Sequence, residues 1–238
     1  MIVGIIGGAG PSATNKLNEL IEEYFTKNGA FRDAHHPEII IWQATKAPSR
    51  SMYLEGKGAS YIEDYIDIAI KLKQCGASKV CMCCNTAHYA IDTISSNANV
   101  EFINLVEECV IKASLSGAKN IGLIASNGCI KGRVYERYFK KICPEIKIIY
   151  PHEEYQELVT KGICNVKNIH RFDDMQSPER PMNIFTKVRE HLINQGAEKI
   201  IMGCTDIRVD YYNPDDIDSL EVLKELIINE YKGEVYEQ

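Results

Sequence analysis

The sequence predicts an α/β protein of two similar lobes, each a parallel sheet flanked by helices. Three observations predict it. Short apolar runs alternate with amphipathic stretches, the pattern of parallel strands joined by crossover helices. One helix-to-strand turn occurs three times, as "CGASKVCM" at 75–82, "SGAKNIGLI" at 116–124 and "QGAEKIIMG" at 195–203. The two halves are also imperfect copies, offset by roughly 115–120 residues.

"IVGIIG" at 2–7 has the continuous apolar character of a buried strand. Leu17, Leu20, Ile21, Tyr24 and Phe25 then fall on one face of a helix. "EIIIWQA" at 38–44 is a second strand, and Ser60 with Glu63 forms a capping-box signal for a helix that stops before Gly76. Each of the three repeated turns sets Gly just past a helix, where a left-handed residue ends it, and then enters a strand.

The repeat pairs "VGIIGGAGPSAT" with "IGLIASNGCIKG", "MCCNTAH" with "MGCTDIR", and "FINLVEECVIKA" with "DIDSLEVLKELI". The expected first lobe covers residues 1–104 together with a returning helix at about 213–238, and the second covers 105–212.

A chain of 238 residues, 45% hydrophobic and 25% charged, is long enough for a sizeable core. No apolar run reaches the ~20 residues that span a bilayer, and the opening "MIVGIIGGAG" has no basic leader region. A cytoplasmic location is expected. The net charge of −6 argues against nucleic acid or an anionic membrane as partner. Nine cysteines without a secretory signal are expected to be reduced thiols.

Two of those thiols carry the chemistry. Parallel sheets place ligands at the carboxyl ends of their strands, where both Cys84 and Cys204 fall. The amides of Asn85, Thr86 and Ala87 would open the following helix, a position that favours anions and thiolates. Cys81 and Cys83 lie within the strand as small buried hydrophobes. Alternation of strand side chains makes "CMCC" a poor zinc cage. Inverting a stereocentre beside a carboxylate needs a base on one face and an acid on the other. Two thiols on opposite walls of a cleft meet that need without a cofactor or metal.

Over nearly its whole length the chain resembles the aspartate/glutamate racemase family, the cofactor-independent two-cysteine amino-acid racemases. The resemblance rests on "GIIGGAGPSAT", "PSRS" at 48–51, "CNTAH" at 84–88 and "GCTDI" at 203–207. It implies two flavodoxin-like lobes related by a pseudo-twofold axis, a site in the cleft between them, a homodimer, a small acidic amino-acid substrate, and Cys84 and Cys204 as the acid–base pair. It further implies that Arg50 and Lys167 bind the substrate carboxylates, with Lys161 as the alternative register for the lysine. Arg supplies a planar fork and Lys a point charge. Asn85, Thr86 and Thr205 are expected to donate hydrogen bonds to the α-carboxylate. His88 is expected to be a helix residue hydrogen-bonded near the site.

Three positions depart from the family pattern: Ala9 where Met is usual, Cys129 where Thr is usual, and Asp206 where Glu is usual. They leave the acidic substrate open. Beside a non-catalytic binding lobe that retains the fold, two enzyme rivals stand against this reading. One is a related cysteine-dependent isomerase or decarboxylase on the same scaffold. The other is a nucleotide-binding oxidoreductase, suggested by Gly8-x-Gly10-x-x-Ala13 but lacking a ribose-binding acid in "WQATKA".

Overall fold

The structure, a computed structural model, describes residues 1–231. The first lobe runs β1 (Val3–Gly7), α1 (Pro11–Lys27), β2 (Ile39–Gln43), α2 (Arg50–Glu55), α3 (Ile62–Gln74), β3 (Lys79–Met82), α4 (Ile91–Ala98) and β4 (Glu101–Ile103). Then come α5 (Leu105–Leu115), β5 (Asn120–Ile124), α6 (Asn127–Lys131), α7 (Glu136–Ile142), β6 (Lys147–Ile149) and α8 (Glu153–Asn165). The chain continues through α9 (Pro181–Asn194), β7 (Lys199–Met202), β8 (Ile217–Asp218) and α10 (Ser219–Tyr231).

The strands form two four-stranded sheets of the same order, β2-β1-β3-β4 and β6-β5-β7-β8. Every pairing is parallel. Val3 sits between Ile39 and Lys79, as Ile121 sits between Ile148 and Lys199. This shared topology is the physical content of the sequence repeat. All five residues of β1 are buried, because helices cover both faces of a parallel sheet.

The three repeated turns are built alike. Gly76, Gly117 and Gly196 have φ of 103°, 79° and 92°, which a side chain would resist. On α1, Leu17, Leu20, Ile21 and Phe25 are buried, with Tyr24 partly so. The capping box expected at Ser60 does not form. The Ser60 hydroxyl accepts from the Ile62 amide at 3.2 Å, and Tyr61 is driven wholly into the core, where its hydroxyl donates to the Ala87 carbonyl at 3.1 Å. Burying that ring delays the helix to Ile62.

The lobes exchange helices. After β4, α5 packs on α7, and Asn104 at its start donates to the Tyr138 hydroxyl at 2.7 Å. After β8, α10 packs on α1 and α5. Its Tyr231 hydroxyl accepts from the Val3 amide at 3.0 Å and donates to the Glu38 carbonyl at 2.6 Å. Residues 232–238 of the returning segment expected from the sequence lie outside the described residues.

One core cluster joins both lobes, bringing Ile5, Leu17 and Cys81 together with Leu123, Tyr135 and Leu223. On β3, Cys81 and Cys83 face this shared core, whereas Val80 and Met82 face the first lobe's own. All nine cysteines are free thiols. Among the described residues, no group of three or more His, Cys, Asp or Glu side chains is placed to hold a metal ion, and no helix is long and apolar enough to cross a membrane.

Candidate active site

Cys84 and Cys204 each stand two residues beyond a central strand, β3 or β7, and each precedes a 3-10 turn, Thr86–Ala90 or Thr205–Val209. The two strand ends are tied together directly: the Thr205 hydroxyl donates to the Cys83 carbonyl at 3.2 Å. Both thiols are partly exposed, whereas Cys83 is fully buried. The thiols feel each other electrostatically.

Charged groups gather around them. Arg50 begins α2, whose first turn is capped by the Ser49 hydroxyl accepting from the Met52 amide at 3.3 Å. Its guanidinium donates to the Pro48 carbonyl at 3.1 Å and lies against Cys84, leaving its Nε buried without a partner. Burial opposes the guanidinium charge, but Cys84, Tyr65 and Asp206 together outweigh it and raise the Arg50 pKa.

Lys167 follows the end of α8. Its stem is exposed, yet its ammonium turns inward to 2.8 Å from Asp206 Oδ2, on a side chain only 3% exposed. Burial would pull this ammonium's pKa down; Asp206 and the two thiols together push it up instead. Lys161, the other register, points away and pairs with Glu179 at 2.7 Å on the surface.

Asp206 in turn faces Cys204, with Oδ2 3.9 Å from Sγ. Burial and then the Asp206 carboxylate push the Cys204 thiol up, against the opposing pull of Lys167 and of the Asp206 backbone amide. Burial also raises Asp206, and Lys167 restrains that rise. The surroundings of the two thiols are therefore unlike: a guanidinium lies beside Cys84, and a carboxylate paired with the Lys167 ammonium lies beside Cys204.

The polar side chains expected to bind substrate are largely committed to holding the lobes together. Asn85, 2% exposed, donates to the Ser219 hydroxyl at 2.9 Å and accepts from the Tyr135 hydroxyl at 2.6 Å. Thr86 shares a hydrogen bond of 2.9 Å with Ser126. The Thr205 hydroxyl is spent on Cys83, and Ala87 is buried in the first lobe's core. What Asn85, Thr86 and Ala87 still offer is backbone N–H groups at the start of the turn, which have no intrahelical acceptor. Ala9 is buried between the end of β1 and α1. His88 is fully buried, hydrogen-bonded through Nδ1 to the Cys84 carbonyl at 2.9 Å, and burial pushes its pKa down to about 4.

The glycine loop has a packing explanation. A Cβ on Gly8 would lie 2.6 Å from the Ala44 backbone nitrogen, and one on Gly10 would lie 1.8 Å from Asp206 Oδ1. The start of α1, where a dinucleotide phosphate would bind, is thus occupied by a carboxylate of the other lobe. Gly10 must be glycine for Asp206 to reach it.

Asp206 entered the sequence reading only as a departure from a family pattern, and Tyr135, Ser126 and Ser219 did not enter it. An acid in the buried turn immediately after "GCT" was the available signal for Asp206. Nothing local marks the other three, because their partners are 50, 40 and 134 residues away.

Comparison with known proteins agrees with this architecture. A glutamate racemase of Picosynechococcus sp. (strain ATCC 27264 / PCC 7002 / PR-6) is 25% identical over 173 residues, covering 72% of this chain and 57% of its own length. The match thus spans little more than half of that relative. Picrophilus torridus aspartate racemase superposes with a TM-score of 0.78 at 24% identity, covering 96% of this chain and 93% of its own. An aspartate racemase homologue from Pyrococcus horikoshii OT3 gives 0.68 at 20% identity, covering 95% and 97%. At these identities the two structures establish the shared two-lobed fold. The family model for Asp/Glu/Hydantoin racemase matches residues 6–222. The chain belongs to the Asp/Glu/Hydantoin racemase family.

Proposed function

We propose that this protein racemises an acidic amino acid, aspartate foremost, by two-thiol proton exchange at Cα without pyridoxal phosphate. The observation that carries the reading is the unlike pair of environments: the Arg50 guanidinium beside Cys84 and the Asp206 carboxylate beside Cys204. Burial and the Asp206 carboxylate favour a proton on Cys204, which makes it the acid, and Cys84, beside the guanidinium, is assigned as the base. One base and one acid are then present at once, as inversion requires.

In one direction the Cys84 thiolate takes the Cα proton, and the electron pair left on Cα spreads into the α-carboxylate. The Cys204 thiol gives its proton to the opposite face of Cα. The product leaves Cys84 as thiol and Cys204 as thiolate, which is the state that runs the reverse reaction. Arg50, with its buried Nε lacking a partner, is the group that suits the α-carboxylate as charge builds there. The backbone amides of Asn85, Thr86 and Ala87 and the turn at Thr205 line the same carboxylate, Lys167 faces the second one, and Ala9 leaves room beside it. The similarity to aspartate and glutamate racemases supports the acidic class of substrate.

The test is a panel of amino acids in D2O with no added cofactor, read by NMR for deuterium at Cα and by chiral chromatography for inversion. Inversion and deuteration of aspartate or glutamate are expected. Isomerisation of a dicarboxylic acid lacking an amino group, with no exchange at any amino acid, would replace this reading by the isomerase one.

A further inference from the structure

We propose that Arg171 is a further anchor for the distal carboxylate of the substrate, and that Ser12 holds it across the cleft until that carboxylate arrives. The proposal rests on the racemase reading above and concerns how the same site selects dicarboxylic substrates.

The charge balance of the cleft motivates it. Arg50 makes no ion pair among the described residues, but Lys167 is matched by Asp206 at 2.8 Å. A substrate with two carboxylates therefore meets only one uncompensated cation. Arg171 supplies another. It lies four residues past Lys167, in the 3-10 turn Ile169–Phe172, and its Nη1 donates to the Ser12 hydroxyl. Ser12 is the second residue of α1 and stands two residues from Gly10, whose backbone abuts the Asp206 carboxylate. Arg171 thus reaches from the second lobe to the first, two residues along the chain from the point where Asp206 meets Gly10.

Its present partners are weak for a guanidinium. Among the described residues Arg171 has no carboxylate partner. Its guanidinium carbon lies 4.4 Å from the centroid of the Phe172 ring, which supports one face and leaves the hydrogen-bonding edge available. A carboxylate offers that edge two parallel charge-assisted hydrogen bonds in place of one bond to a neutral hydroxyl. Transfer of Arg171 from Ser12 to a dicarboxylate is therefore favourable, and a monocarboxylate of the same length cannot drive it.

The experiment measures affinity for succinate and for butyrate, four-carbon acids with two carboxylates and one, by calorimetric titration of the full chain. Cα exchange of aspartate in D2O is followed in parallel. Arg171→Ala should weaken succinate roughly 10- to 100-fold, leave butyrate unchanged, and raise KM for aspartate more than it lowers kcat. Ser12→Ala, which releases the guanidinium, should tighten succinate binding. Equal losses for both ligands in Arg171→Ala, or parallel weakening of succinate in Ser12→Ala and Arg171→Ala, would make the contact a structural clasp and overturn the proposal. If the wild-type protein exchanges no amino acid at Cα, the racemase reading fails on that arm, whatever the titrations give.

Discussion

Lys167 Nζ lies 2.8 Å from Asp206 Oδ2, so the ammonium is held by an internal carboxylate that also faces Cys204. The carboxylate thus faces both an ammonium and a thiol. A carboxylate next to a thiol disfavours the thiolate, and a lysine next to that carboxylate softens the effect.

Asp206→Asn should therefore make Cys204 more reactive. The carboxylate is the second largest influence raising this thiol, after burial. Removing its charge lowers the pKa and enlarges the thiolate fraction at any pH below it. Iodoacetamide labelling of Cys204, followed against pH by peptide mass spectrometry, should shift to lower pH in the variant. An unshifted profile would mean that burial alone governs this thiol.

Gly10→Ala should be destabilising through Asp206. The added Cβ would lie 1.8 Å from Oδ1, inside any real contact, so α1 or the Asp206 turn must move. A cost of about 1–3 kcal/mol is expected for such overpacking. In a double-mutant cycle with Asp206→Ala, most of it should vanish, because the obstructing carboxylate is gone. Additive losses in urea melts would show that Gly10 acts through something else.

Tyr135→Phe tests the joint between the lobes. It removes the 2.6 Å hydrogen bond to Asn85 Oδ1 and leaves that atom buried without a donor, at a cost of about 1–3 kcal/mol. Because Asn85 adjoins Cys84, turnover should fall along with the urea midpoint. An unchanged midpoint would mean that Asn85 finds another donor.

His88 should make the protein acid-sensitive. Burial holds its folded pKa at about 4 against an ordinary value of 6.5. As pH falls below 6.5 the unfolded chain gains a proton that the folded chain refuses until about 4. Stability is thus lost across that window, on the order of 3 kcal/mol in full. His88→Asn, which can still bond the Cys84 carbonyl, should flatten this pH dependence in urea melts between pH 7 and pH 5.

Much of the architecture was legible because parallel sheets write themselves locally. The Gly that ends each helix before β3, β5 and β7 marks the same turn three times, and the matched segments around Cys84 and Cys204 disclose two equal sheet orders. The start of α3 was misplaced because Tyr61 obeys the core rather than the cap. At the candidate site, short motifs pointed to Cys84, Cys204 and Arg50, and the structure places Lys167 rather than Lys161 against Asp206. The polar ties could not be read that way. Asn85, Thr86 and Thr205 look like ligand donors in a linear motif, yet their side chains bridge lobes to partners far along the chain. Tertiary hydrogen bonding of this kind is invisible to local spacing.

The central claim is that Cys84 and Cys204 act as base and acid on opposite faces of one Cα. The most direct measurement is Cα deuterium uptake by NMR in Cys84→Ser and Cys204→Ser, each with pure L- and pure D-aspartate. Serine retains a hydroxyl but cannot supply a thiolate near neutral pH. Each variant is predicted to lose net racemisation while keeping its fold, and to exchange the Cα hydrogen of one enantiomer only, the two variants choosing opposite enantiomers. Racemisation near the wild-type rate in either variant would contradict the two-thiol account.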